Sequence, residues 1–218
     1  IFNSMLLKEY FENNHYHFAH SFAFDPVLND GLRNALEKIP EQVRKKKQIL
    51  VYGRPGTERN AFNLVVAALK KWVFMQPDIE EWEILSAGEM HRTVALGNGK
   101  ELTSVGKLSI EEYANMLEES YAGISLMCSP HPSYPPLEMS VFDVKTITNT
   151  YANKDLKDFN ENIISLDNIS PMNIAKHLVE ICKSYQTEVR HIAANPLYVK
   201  NDHVFDFVED IKKILDEE

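Results

Sequence analysis

The sequence predicts an α/β protein built on a doubly wound parallel sheet. From Gln48 onward, short apolar runs alternate with segments of helical period. The runs are short and rich in β-branched residues, as strands buried on both faces are. Helix-start signals follow the strand-like runs, the order that a parallel sheet with crossover helices requires. Of the 218 residues, 44% are apolar and 25% charged, an ordinary folded composition with enough apolar mass for one real core.

Each element has its own signal. The first 45 or so residues read as irregular, with the aromatic- and His-rich "YFENNHYHFAHSFAFDP", followed by a helix from Asn29 to Ile39. "QILVYG" reads as the first buried strand. "AFNLVVAALKKWVF" places Phe62, Val65, Val66, Leu69 and Val73 on a helical period. "EWEILSAGE" and "LTSVGKLS" are the second and third strands. "SIEEYANMLEES" is a helix with a capping box, Ser109 at the N-cap and Glu112 three residues on. "AGISLMCS" is the fourth strand, "LEMSVFD" a short helix, "VKTITNT" a fifth strand and "IISL" a sixth. "SPMNIAKHLVEICKSY" has Ser170 as N-cap and Pro171 at the first helical position. The last helix, "DHVFDFVEDIKKIL", is expected to be capped by Asp202.

Composition excludes several classes. A formal net charge of −9 disfavours a broad nucleic-acid surface. No apolar run approaches the ~20 residues of a membrane-spanning helix. Cys128 and Cys182 lie far apart in apolar surroundings, which fits two thiols in a reducing cytoplasm. The chain opens in mid-structure, without Met or a signal-peptide pattern, and this predicts a missing upstream half.

In doubly wound sheets ligands bind beyond the carboxyl ends of the strands. That rule selects "GRPGTERN", "SAGEMH" and "SPHPSYPPLE". The first turns on Gly53, Pro55 and Gly56 and enters a helix near Thr57, where unpaired amides suit an anion. Arg54 and Arg59 flank that turn and suit a phosphate or diphosphate, or are simply solvated. In the third segment Glu138 falls in the first turn of a helix. There it either complements the helix dipole or accepts hydrogen bonds from sugar hydroxyls, with Ser133, Tyr134 and His131 beside it. His15, His17 and His20 lack acidic or Cys partners at ligand spacing, so no metal site is expected. "RKKK", residues 44–47, reads as a solubilising flank, and Trp72 and Trp82 as core. Walker A, G-x-G-x-x-G, G-x-S-x-G, H-E-x-x-H and kinase signatures are lacking.

From about Gln48 to Tyr185 these segments resemble the C-terminal, nucleotide-sugar-binding domain of retaining GT-B-fold glycosyltransferases, the class related to glycogen and sucrose synthases. The resemblance implies a Rossmann-like doubly wound parallel sheet, one half of a GT-B fold. The Gly53-Arg54 pair and Arg59 match the basic pair that binds the donor diphosphate and stabilises it as a leaving group. The strand end carrying Gly106, Lys107 and Leu108 matches the nucleobase contact, with Gly88 beside it. Glu138 matches the carboxylate expected to bind ribose. Seven residues before it stands His131, where the family has a Glu that touches the transferred sugar. Ser133, Tyr134 and Pro135 replace the usual Ser-Phe-Gly turn.

The set "YGRP…SPHPSYPPLEM…TN" is most similar to bacterial rhamnosyltransferases that build cell-surface glycans from dTDP-rhamnose. The implied partners are that donor, a glycan acceptor and an N-terminal acceptor domain, with no metal or other cofactor. The implied location is cytoplasmic, at most peripheral to the inner face of the membrane. Residues 1–45 would then be hinge and tail of the missing domain, 46–190 the donor-binding domain and 191–218 a helix crossing back. The isolated fragment would bind donor without turnover. The rival reading is a non-catalytic module that keeps the fold. A receiver-like domain would need paired acidic residues after the first strand, which instead ends in Gly-Arg.

Overall fold

The computed structural model describes residues 1–191 and 195–217. The chain starts with α1 (Met5–Asn13), α2 (Asp30–Leu36), β1 (Gln42–Arg44), β2 (Lys46–Gly53) and α3 (Phe62–Trp72). It continues through β3 (Glu83–Gly88), β4 (Val94–Gly97), β5 (Lys100–Gly106), α4 (Ile110–Glu119) and β6 (Ser120–Ile124). Then come α5 (Tyr134–Val141), β7 (Lys145–Asn149), β8 (Ile163–Leu166) and α6 (Pro171–Lys183). β9 (Glu188–Arg190), α7 (Pro196–Val199) and α8 (Phe207–Glu217) follow.

The main sheet has seven strands in the order β4-β5-β3-β2-β6-β7-β8. All its pairings are parallel except that of β4 with β5. Taking the parallel strands alone in chain order, this is the doubly wound order 3-2-1-4-5-6. β2 shows why such strands must be apolar throughout. Ile49 and Val51 pack into the core beneath α3 and α6, while Leu50 between them enters the opposite core with α2, α4 and α5. All three are fully buried, so alternation of apolar and polar residues would be unworkable here. The sheet, its order and the helix placement agree with the predicted fold class.

The signals that rest on local chemistry hold in detail. Ser109 and Glu112 form the reciprocal capping box, and Ser170 caps α6 with Pro171 at its start. Trp72 and Trp82 are core residues in edge-to-face contact, with ring centroids 6.1 Å apart.

Five expectations need correction. The opening segment is not irregular throughout, because Ser4 caps α1 by accepting from Leu7 N at 2.9 Å. Leu28, Leu32 and Leu36 are buried in the same core cluster as Ala114 and Leu117, so this region is packed into the domain. A further strand, β4, folds back on β5 through Asn98 and Gly99, both at positive φ, the conformation a tight hairpin needs. Glu58–Asn60 form a short 3-10 turn, and α3 starts only at Phe62 rather than near Thr57. Asp202 does not cap the last helix, which begins at Phe207. The proposed crossing segment includes residues 192–194 and 218, which lie outside the described residues. Its described part returns to the beginning of the chain, where Phe24 meets Phe205 and Phe207 at 5.5 and 6.2 Å.

The fifth correction concerns "RKKK". Lys45 is 2% exposed, and its ammonium donates to the carbonyls of Leu117 and Phe142 at 3.0 and 2.6 Å. Lys47 is paired with Asp78 and Glu81. Lys45 and Lys47 thus clamp the N-terminal end of the sheet, while Arg44 and Lys46 before and between them are exposed as a solvated flank would be.

Burial lowers the Lys45 pKa from 10.5 to about 8, against the opposing pull of Asp143 and Glu118. Between those values the unfolded chain holds a proton that the folded state has released, so stability rises with pH across that window. A neutral amine still has two N–H donors for the two carbonyls, so the bonds survive the titration. Lys45→Met should remove this rising component, on the order of 3 kcal/mol in full, from urea-unfolding free energies measured between pH 8 and 10.5. An unchanged slope would show that Lys45 does not titrate there.

Candidate functional site

The sheet order reverses between β2 and β6, so the loops leaving these strands diverge and open a crevice. On the β2 side, Gly53 and Gly88 end their strands in register. A Cβ on Gly53 would lie 1.9 Å from Ser86 Oγ, and one on Gly88 would lie 2.9 Å from the Gly53 carbonyl oxygen. Gly88 also has φ +131°, a conformation glycine alone adopts readily. The turn beyond is braced by Glu89. Its backbone N–H donates to Gly53 O at 2.9 Å and its carboxylate accepts from Gly56 N at 3.1 Å.

A cleft of about 500 Å³ opens above these strand ends. Arg54, Gly88, Lys107, Leu108, Tyr134 and Glu138, separated by up to 84 positions (138 − 54) in sequence, come together on its walls. Arg59 sits on the 3-10 turn with its side chain exposed, outside the lining. Its carbonyl accepts from Cys128 N at 2.7 Å and ties this turn to the segment after β6. Gly53 lies beneath the cleft. Gly106, at φ +70°, turns the chain from β5 toward α4. The ion-paired arginines among the described residues are Arg33, Arg44 and Arg190, all elsewhere.

Glu138 lies in the second turn of α5, not the first, so it does not serve the helix dipole. Instead Tyr113 of α4 donates to its Oε2 at 3.1 Å. Burial raises the Glu138 pKa to about 7, and the Tyr113 bond only partly offsets this. Sequence reasoning missed Tyr113 and Tyr52, both cleft residues. Tyr113 stands four residues after Ser109, inside a helix already identified, but nothing local marks it as facing a carboxylate 25 positions away.

The proline loop is stiff and poor in donors. Pro135 and Pro136 occupy the second and third positions of α5, leaving Tyr134 as the residue with an N–H among the first three. Ser133 precedes the helix at φ 69°, and its side chain makes no capping bond. Its N–H donates to His131 Nδ1 at 2.9 Å, and the His131 ring meets Tyr134 edge-on at 5.6 Å. Burial lowers the His131 pKa, against a favourable contribution from the Asn3 main chain, and Lys154 and Arg59 nearby lower it further. His15, His17 and His20 are exposed, and among the described residues no group of three His, Cys, Asp or Glu is placed to hold a metal ion.

Glu138 makes a pH test available. Between its ordinary value of 4.5 and about 7, the folded state keeps a proton that the unfolded chain has lost. Its contribution therefore makes stability fall as pH rises through that window. Glu138→Gln should flatten the fall, read as the pH dependence of the urea midpoint. An identical profile in the variant would place the Glu138 pKa near that of an exposed carboxylate.

Comparison with known proteins fits this architecture. The whole chain matches 58% of sucrose-phosphate synthase from Thermosynechococcus elongatus with a TM-score of 0.57 at 11% identity. TarM matches over 85% of this chain and 40% of its own, with a TM-score of 0.56 at 10% identity. These likenesses show the shared fold. Over 127 residues the chain is 35% identical to the O-antigen biosynthesis protein RfbC of Myxococcus xanthus. That alignment covers 58% of this chain and 10% of RfbC, so the chain spans about a tenth of that relative. Residues 47–179, well over half the chain, match the family model described as "WsaF, C-terminal domain", and the chain belongs to that family.

Proposed function

We propose that this domain binds the nucleotide-diphosphate part of a sugar donor and forms the donor half of a GT-B glycosyltransferase of cell-surface glycan synthesis. The observation that carries the reading is the cleft itself, where Arg54 and Lys107 share the walls with Glu138, whose Oε2 is held by Tyr113, at the switch point of a doubly wound sheet. The name of the Myxococcus relative, an O-antigen biosynthesis protein, supports the glycan setting.

In this reading Arg54 holds the diphosphate, with Arg59 reaching in from the 3-10 turn. Gly106, Lys107 and Leu108 seat the base, and Glu138 accepts from the nucleotide sugar. As the bond from the anomeric carbon to the diphosphate breaks, negative charge collects on the leaving group. Fixed guanidinium groups stabilise that charge most when water is excluded. The arginines supply this neutralisation without a metal ion, and the transferred sugar keeps its anomeric configuration. The acceptor would be held by an N-terminal domain preceding the segment at residues 1–45, with the enzyme cytoplasmic and at most peripheral to the membrane. Among the described residues no helix is long and apolar enough to cross one.

dTDP-rhamnose is the favoured donor. Tyr113 donates to Oε2 of Glu138, and Oε1 remains to accept from a nucleotide hydroxyl. A site adapted to a dTDP-sugar should bind dUDP at least as tightly as UDP in calorimetry, a pair that differs only at the 2′-hydroxyl. Arg54→Ala should weaken TDP binding by about 10- to 100-fold, the loss of a charge-assisted bond pair. Folded wild-type protein that binds no nucleoside diphosphate would overturn the reading.

A further inference from the structure

The proline loop contains a histidine whose ring is turned away from the cleft. Nδ1 of His131 already accepts the Ser133 N–H at 2.9 Å, and Nε2 is buried, with the Asn3 main chain near the ring. Neither nitrogen is open to a ligand in the cleft, and His131 is not among the residues lining it. A direct contact between this ring and a transferred sugar would require the loop to come apart.

The ring has a different task available. Ser133 has a side chain and yet sits at φ 69°, a conformation that persists only where its surroundings hold it. The Ser133 hydroxyl makes no capping bond, so it does not hold its own backbone. What holds the loop is a short relay. Ser129 Oγ accepts from His131 N at 3.2 Å, and His131 Nδ1 in turn accepts from Ser133 N. The next residue, Tyr134, carries the first N–H of α5, and its ring packs edge-on against His131. An N–H at that position points out of the helix end, toward where an anion binds.

We propose that His131 is a positioning residue: by accepting the Ser133 N–H it fixes the loop so that the Tyr134 amide faces the donor diphosphate. The proposal rests on the donor-binding reading and adds to it the one backbone donor that Pro135 and Pro136 leave among the first three positions of α5. It also explains a neutral imidazole between Arg59 and Lys154, since a protonated Nδ1 could not accept the bond.

Asn provides the test, because its side-chain oxygen readily accepts the N–H two residues on, as His131 Nδ1 does here. Wild type, His131→Ala, His131→Asn and His131→Gln are compared by calorimetry with TDP and with thymidine, alongside melting temperatures. His131→Ala and His131→Gln should lose about tenfold in TDP affinity, with thymidine affinity unchanged, and His131→Asn should recover most of the loss. A general loosening of the fold would instead weaken both ligands together and track the melting temperature. Equal TDP affinity in wild type and His131→Ala, or failure of Asn to rescue, overturns the proposal. If wild type binds neither ligand, the donor-binding reading fails first and the proposal falls with it.

Discussion

How closely β2 and β3 approach each other at Gly53 and Gly88 determines what the cleft can be. The two residues end a parallel pair in register, and neither has room for a methyl group. Ser86 Oγ fills the space above Gly53, and the Gly53 carbonyl and the Arg54 side chain crowd Gly88. Bulkier residues would spread the strand ends and carry Arg54 away from β5 and the Lys107–Leu108 segment. The close approach depends in turn on β2 being clamped at its other end. There Lys45 ties β2's approach to α4 and α5, Gln48 donates to Ser120 Oγ at 2.7 Å, and Tyr185 OH donates to the Lys45 carbonyl at 2.9 Å. Strand register is thus held by buried polar bonds at one end and by missing side chains at the other.

The second constraint is the proline loop. Prolines reduce the conformational freedom of the unfolded chain, so a loop whose native φ they can adopt gains rigidity at little energetic cost. They also remove amides, and a loop at a helix start normally offers amides to an anion. On the proposed donor-binding reading, Pro135 and Pro136 would therefore shift the electrostatic load from backbone dipoles to side chains. Guanidinium groups are long and mobile, so something must restrain them. The backbone of the turn that carries Arg54 is braced by Glu89, and that of the turn carrying Arg59 by its carbonyl bond to Cys128. Rigid loops thus carry the flexible cations.

What the sequence made legible follows from the range of the interactions involved. The capping box at Ser109–Glu112 and the start at Ser170–Pro171 rest on neighbours within one turn, so they could be read directly. The apolar strands could be read because burial on both faces leaves no polar positions. The β4–β5 hairpin carries a readable Asn98-Gly99 turn signal, but its short antiparallel strand breaks the strand–helix alternation that marks the rest of the sheet. Lys45 could not be read, because the carbonyls that receive it lie 72 and 97 positions away. The same limit hid Tyr113 from Glu138. At the cleft, residue types at strand ends pointed to Arg54, Tyr134 and Glu138, and the family resemblance to Gly88, Lys107 and Leu108; all six line it. They could not show that His131 faces its own loop, since that depends on the rotamer and on the sign of φ at Ser133.

Glu138 links these constraints. It is half-buried beside Tyr113, and among the described residues no ion pair joins it to Arg54 or Lys107, each of which lines the same cleft. The cations are thereby left for a ligand, and the carboxyl group spends part of the neutral range protonated. A protonated carboxyl offers a donor where a hydroxyl needs an acceptor, so a ligand hydroxyl that binds Oε1 favours the ionised form. Binding and deprotonation are then one linked equilibrium below about pH 7. On the proposed donor-binding reading, a nucleotide sugar would meet cations for its phosphates and a carboxyl group whose charge appears as the sugar docks. The raised pKa would then keep Glu138 from competing with the phosphates for those cations until a hydroxyl stabilises its ionised form.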